Sequence, residues 1–250
     1  MRYCQIFALL TIIPALVVAD EITIVGDVWP PYNTEPGSAT PGYAIEIAQQ
    51  VFAAKGHKVK YEVVPWSRAV DGTQKGTYTA AVGGFEGDVA GALIPKEPVG
   101  ISDNEFFTKK GSPWIYQGFA SLAGKQVGLI QGYTYDKGAF DAWAKSAKNI
   151  QWSSGEAPLI LNLKKLDAGR VDCILEDVNV VTYTAKENGL AGKFQIAGNA
   201  NMTNRIYILF SPANSKSPEY TKILSDGIAE MRKNGKLQII LSKYGIKDWK

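Results

Sequence analysis

The chain alternates between two hydrophobic rhythms. Residues 21–26, EITIVG, are β-branched and apolar and end at a glycine, the mark of a short buried strand. Between Tyr43 and Ala54 the apolar residues Ala44, Ile47, Ala48, Val51 and Phe52 recur at helical spacing, and Gly56 follows as a stop. KVKYEVV then alternates Val59, Tyr61 and Val63, which predicts a second strand. SRAVDGTQKG predicts a short helix ending at Gly76, and YTAAVGG a third strand. Strand, helix, strand, helix, strand at this spacing predicts βαβ units and a mostly parallel sheet.

The rhythm then restarts. KQVGLIQG predicts a strand, PLILNLKKLDAGR a helix, VDCILED a strand and NVVTYTAKENG a helix closed by Gly189. FQIAG and RIYILF read as two further strands. Two helices end the chain. In the first, Tyr220, Ile223, Leu224, Ile228 and Met231 share a face behind Ser217 and Pro218 at its N-cap and first turn. In the second, Leu237, Ile240, Leu241 and Tyr244 share a face that stops at Gly245. Two restarts of one α/β pattern predict two lobes, with the aperiodic, Gly-Ser-Pro-bearing stretch FFTKKGSPWIYQG (106–118) as the crossing between them.

The first residues have another pattern. Arg2 precedes an apolar run from Ile6 to Val18, shorter than the roughly 20 residues that span a bilayer, with small Ala19 ahead of Asp20-Glu21. That arrangement is a cleavable secretory leader over 1–19, cut after Ala19. Cys4 goes with it, leaving Cys173 and no internal disulfide, which suits a bacterial periplasm better than a disulfide-stapled secreted protein. The remaining chain of about 230 residues can bury a full core as one large domain or two small ones.

Composition removes several classes of chemistry. Charge is nearly balanced, with 27 Lys+Arg against 24 Asp+Glu, and no basic run carries interleaved aromatics, so nucleic acid is not expected as a partner. The single histidine, His57, lies in a Gly-His-Lys turn and reads as an exposed loop residue. Little material remains for a Ser-His-Asp or Cys-His arrangement, and no metal site or cofactor is expected.

In α/β sheets ligands bind beyond the carboxyl ends of strands, and a cleft between two lobes is a default site. The first strand exits into DVWPPYN, bringing Asp27, Trp29 and Tyr32 to that edge. The second ends at Trp66, Ser67 and Arg68, and the third at Gly83, Gly84, Phe85 and Glu86. In the second half the ends are Gln131 to Asp136, with Tyr133 and Thr134, and Leu175 to Asp177. Aromatic faces, Gly-rich helix starts and a few charges describe a site for a small polar molecule. Each residue has a plainer alternative: packing for a tryptophan, a hydrophobic staple for Trp66, a cap or solvated charge for Glu86 and Asp177. Their coincidence at strand ends favours the site.

The chain resembles the periplasmic solute-binding proteins of the polar amino-acid type, the bacterial extracellular solute-binding proteins of family 3. The resemblance covers nearly everything after the leader. It rests on WPPYN with the helix after Gly42, LAGKQVGLIQGYTYD, LKKLDAGRVDCILED, YILFSP and GIAEMRKNGKLQIILSKYG. It implies a type II periplasmic-binding fold of two α/β lobes joined by two crossing strands: lobe 1 over 20–110, lobe 2 over 111–203, and 204–250 returning to lobe 1. The implied activity is capture of a small polar solute, an amino acid or a cationic relative, for an inner-membrane ABC permease or a membrane sensor, by a monomer. The resemblance further implies an arginine and a threonine on a solute α-carboxylate and an aspartate on its ammonium. Thr134 and Asp177 match; only Lys96 stands near the arginine's expected place, with Arg68 as the alternative, and Gly84 and Glu86 stand where small hydroxyl residues are common. The scaffold is also similar to that of cyclohexadienyl dehydratases, in which Glu86 or Glu176 would be the acid–base group.

Overall fold

The computed structural model describes residues 19–250, so the leader expected at 1–19 lies, except for Ala19, outside the described residues. In the first lobe β1 (Glu21–Gly26) is flanked in parallel by β2 (Lys58–Val63) and β3 (Ala80–Gly84). Its residues Ile22, Ile24 and Val25 are fully buried, as expected of a central parallel strand covered by helices on both faces. Those helices are α1 (Tyr43–Ala53) and α2 (Trp66–Lys75). All five residues of the expected α1 face are buried, and left-handed Gly56 (φ 82°) turns the chain after it.

In the second lobe β5 (Val127–Ile130) pairs in parallel with β6 (Ile150–Ser153) and β7 (Cys173–Asp177), and α3 (Ala139–Ser146), α4 (Pro158–Asp167) and α5 (Val178–Glu187) alternate with these strands. Two long antiparallel strands, β4 (Gly100–Lys109) and β8 (Phe194–Phe210), join the lobes. The strand order is β2-β1-β3-β8-β4-β7-β5-β6. The end of β8 pairs with β3 in lobe 1, while β4 pairs with β7 in lobe 2. Beyond β8 the chain stays on lobe 1 as α6 (Ser217–Lys233) and α7 (Lys236–Lys243), which pack on α1 and on each other. Glu46 of α1 anchors α7 by accepting from Lys243 Nζ (2.7 Å) and Tyr244 Oη (2.5 Å).

Several sequence expectations change. The crossing is not at 106–118: Phe106 and Phe107 already pair with Leu175 and Ile174 of β7, and the chain crosses within β4 and β8. The expected boundary at 110/111 follows the end of β4, and that at 203/204 lies inside β8. β4 is disguised because its buried positions include Ser102, Asn104, Glu105 and Thr108, which erase the apolar alternation. FQIAG and RIYILF are one strand, since Asn199 and the residues Met202 to Asn204 between them pair with β4 across a bulge at Ala200–Asn201, where Asn201 is left-handed (φ 54°). Helix α3 and edge strand β6 add to the expected pattern. Ser217 does not cap α6; its hydroxyl donates to the Ser211 carbonyl at 2.6 Å, while Pro218 holds the first turn as expected. His57 is buried rather than exposed, packed edge-on to Phe52 and Tyr220, with Nδ1 accepting from the Asp20 amide at 3.3 Å.

The α1–α6 contact depends on one missing side chain. A Cβ at Gly227 would overlap Val51 of α1. Gly227→Ala is expected to destabilise the protein by about 1–3 kcal/mol through overpacking, seen as a lower thermal midpoint. An unchanged midpoint would show that the two helices separate without cost.

Candidate functional site

The carboxyl ends of β1 and β3 and the start of α2 in lobe 1 face the ends of β5 and β7 in lobe 2 across one small cavity. Lobe 1 contributes Asp27, Trp29, Trp66, Phe85 and Asp88; Tyr133, Thr134, Tyr135 and Glu176 close it from lobe 2. Asn104 of β4 forms part of the wall nearest the crossing strands. The volume is about 20 Å³, enough for roughly one water molecule. Among the described residues, no lysine, arginine or histidine lines it.

The aromatic wall is built by packing. Asn33 Nδ2 donates to the Asp27 carbonyl (2.5 Å) and the Tyr61 hydroxyl (3.0 Å), which folds the loop after β1 back on itself. Trp29 stacks on Tyr32 with centroids 4.3 Å apart and meets Phe85 edge-on at 6.2 Å. Gly83 (φ 89°) supplies the bend beneath, where a Cβ would press on the Trp29 ring. Trp66, in the first turn of α2, meets Tyr133 edge-on at 6.4 Å.

The lobes bond directly across the cleft. Trp29 Nε1 donates to Glu176 Oε1 at 3.0 Å, and Tyr133 Oη donates to Asp27 Oδ2 at 2.8 Å. Tyr32 Oη donates to Asp177 Oδ2 at 3.1 Å, and the Val28 amide to the Glu156 carbonyl at 2.7 Å. Lys137 Nζ lies 3.7 Å from Asp88 Oδ1. Two carboxylate oxygens on the cavity wall, Glu176 Oε2 and Asp88 Oδ1, are buried without a hydrogen-bond partner among the described residues.

Burial dominates the electrostatics. It pushes the Asp27 carboxyl up to about 7 against the Tyr133 hydrogen bond, and Glu176 up to about 8 against those from Trp29 and the Asp177 amide. The neighbouring charges of Asp177 and Asp27 add to the rise at Glu176. Burial also raises Asp88, although the Phe85 amide and Lys137 oppose it.

Of the residues expected at the site, the structure gathers Asp27, Trp29, Trp66, Phe85, Tyr133 and Thr134 on the cavity. Tyr32 and Gly84 lie one layer back, the first beneath Trp29 and the second packed against Trp66 and Leu209. Asp177 does not face the cavity. It is the N-cap of α5, accepting from the Asn179 (2.8 Å) and Val180 (3.0 Å) amides, and it also accepts from the Asp103 amide and Tyr32. Because side chains alternate along β7, Glu176 takes the cavity side.

Arg68, Glu86 and Lys96 are exposed and outside the lining. Glu86 borders a surface groove with Lys137 and Arg205. The segment carrying Lys96 runs onto α6, where its amide donates to Ser225 Oγ, so its ammonium does not take the arginine's place. Tyr135, inside the stretch Gln131 to Asp136 expected at a strand end, also lines the cavity, whereas sequence reasoning did not single out Asp88 or Asn104. Asp88 could have been found from GFEGD, where its carboxylate accepts from the Phe85 amide three residues back and closes the turn.

Raised acids make stability depend on pH. Asp27 and Glu176 bind more protons folded than unfolded between the ordinary carboxyl range and about 8. Their contribution therefore favours the fold at low pH and is lost as pH rises through about 7 and 8. Wild type is expected to lose melting temperature between pH 5 and pH 9, and Asp27→Asn or Glu176→Gln to flatten that loss. Equal slopes in all three proteins would contradict the burial of these acids.

Comparisons with known proteins fit this architecture. A search of curated proteins returns no match. Among solved structures, an ancestral arginine-binding protein bound to arginine superposes with a TM-score of 0.74 at 19% identity, covering 90% of this chain and 98% of that one. The arginine-, lysine-, histidine-binding protein of the thermophilic bacterium Geobacillus stearothermophilus gives 0.72 at 18% identity, over 92% of this chain and 97% of its own. A histidine kinase sensor domain with similarity to periplasmic binding proteins gives 0.73 at 21% identity, over 90% and 95%. These likenesses establish the type II periplasmic-binding fold. The model of the bacterial extracellular solute-binding proteins, family 3, matches residues 22–247, and the chain belongs to that family.

Proposed function

We propose that this protein captures a small polar solute between its lobes in the periplasm, after export through the leader, and hands it as a monomer to an ABC permease or a membrane sensor. The observation that carries the reading is the interlobe cavity, with aromatic walls from both lobes and carboxyl groups turned into it. A space of about 20 Å³ admits roughly one water, so a solute requires the lobes to part. A solute touching both lobes would then shift the open–closed equilibrium toward closure. The similar structures include an amino acid ABC transporter substrate-binding protein and a histidine kinase sensor domain, so this fold occurs in both transport and sensing settings.

A second reading rests on Glu176. Held at about 8, its carboxyl keeps a proton at neutral pH and could act as a general acid, as a dehydratase on this scaffold would require. A dicarboxylate substrate would, however, meet three carboxyl groups and no cationic side chain among the described residues of the lining. Incubation with prephenate or arogenate is expected to give no product. Turnover abolished by Glu176→Gln would establish the enzyme instead.

The binding reading is tested by a thermal-shift screen of amino acids, amines, opines and short peptides. Ligand at 100 times its Kd adds about 2.7 kcal/mol. For any hit, Trp29→Ala and Trp66→Ala are expected to weaken binding at least tenfold, while Lys96→Ala and Arg68→Ala leave it unchanged. The opposite pattern would move the site elsewhere.

A further inference from the structure

We infer that the cleft takes a small organic cation that carries N–H donors and no carboxylate, an amine or a guanidine. The inference rests on the solute-binding reading of the same cavity and adds the charge and the hydrogen-bonding sense of the solute.

The donor and acceptor inventory of the wall carries it. Glu176 Oε2 and Asp88 Oδ1 are buried oxygens without hydrogen-bond partners among the described residues, one on each lobe, and each becomes an acceptor when its carboxyl group ionises. A buried carboxylate oxygen left unpaired is costly, and an N–H donor on a cation is its strongest complement. Lys137 Nζ forms an ion pair with Asp88 Oδ1 at 3.7 Å from a partly exposed side chain, too long for a hydrogen bond, so a solute donor would have to share that oxygen with it. A solute carboxylate would find Thr134 but no cationic side chain among the described lining residues, and it would oppose ionisation of Asp27, Asp88 and Glu176 around it. The rings of Trp29, Trp66, Phe85 and Tyr133 surround the same space and favour a cation over their faces. A donor-bearing head that reaches Asp88 on one lobe and Glu176 on the other would also tie the lobes together.

A cation has a second consequence. It favours the ionised acids, so binding releases protons and tightens as pH rises toward 8. The acids that share the change are Asp27 and Asp88 of lobe 1 and Glu176 and Asp177 of lobe 2, while the hydroxyls of Tyr61, Tyr133 and Tyr135, which burial raises further, keep their protons and the Lys137 ammonium faces Asp88.

Matched pairs test the inference by isothermal titration of wild type at pH 8: tyramine and tyrosine, histamine and histidine, agmatine and arginine, cadaverine and lysine. In at least one pair the amine is expected to bind ten times tighter or more than its parent amino acid, with proton release seen across buffers of different ionisation enthalpy. Glu176→Gln and Asp88→Asn, checked for an intact melting transition, are expected to lose about tenfold for that amine. If the parent binds as well as the amine in every pair that binds, the cation inference fails and capture stands. The cation inference also fails, with capture intact, if no pair binds but a neutral or anionic solute raises the melting temperature. If no solute of any class binds, both fall.

Discussion

The antiparallel pairing of β4 with β8 makes two sheets one molecule. From Gly100↔Ile206 to Lys109↔Phe194 the two strands run side by side, and each also belongs to the sheet of a lobe. That pairing fixes which strand ends meet. The carboxyl ends of β1 and β3 are brought opposite those of β5 and β7, and residues just beyond those ends line the cavity. The pairing also explains the buried polar residues along β4: Asn104 sits at the cavity, and the Asp103 amide holds the Asp177 carboxylate that caps α5. The hinge and the site share residues, so a change at the site has a short route to the crossing strands.

Within that frame the cleft is closed by its own groups. Trp29 and Tyr133 donate across it to Glu176 and Asp27, acids whose titration burial pushes up to about 8 and about 7. Each of these bonds joins one lobe to the other. Neutral donors satisfy part of each carboxyl group, and a cation can satisfy more, including the oxygens of Glu176 and Asp88 that have no hydrogen-bond partner among the described residues. On the proposed reading the same acids would serve two closed arrangements, the one seen here, tied by the protein's own rings, and one tied through a solute. Exchange between them needs no new fold, only rotation about the two crossing strands.

Much of this was legible in the sequence where one physical cause dominated. Parallel strands buried on both faces announce themselves by apolar runs, so β1, β3, β5 and β7 were readable, and so was the position of Trp29, Trp66, Phe85 and Tyr133 at their ends. Reading failed where a strand's neighbours are polar, as in β4 and in Asn199–Asn204 of β8. It also failed where two adjacent acids compete for one role. Glu176 and Asp177 look interchangeable in LEDVNV, yet the cap geometry of α5 takes the second and the pleat of β7 gives the cavity the first. Lys96 was misplaced because the chain between Glu86 and Val99 makes a surface excursion, pinned by the Leu93–Phe210 bridge and by Ser225, that no periodicity encodes.

On the proposed reading, closure by the protein's own side chains alternates with an open state that admits the solute. Spin labels on Ser67→Cys and Gln131→Cys, exposed residues on opposite lobes beside the Ser67–Gly132 contact, would report it, since Cys173 is fully buried. Pulsed dipolar distances are expected to show a short and a longer population in the free protein, the longer one lost when a bound solute is present. A single short distance, unmoved by solute, would contradict the account.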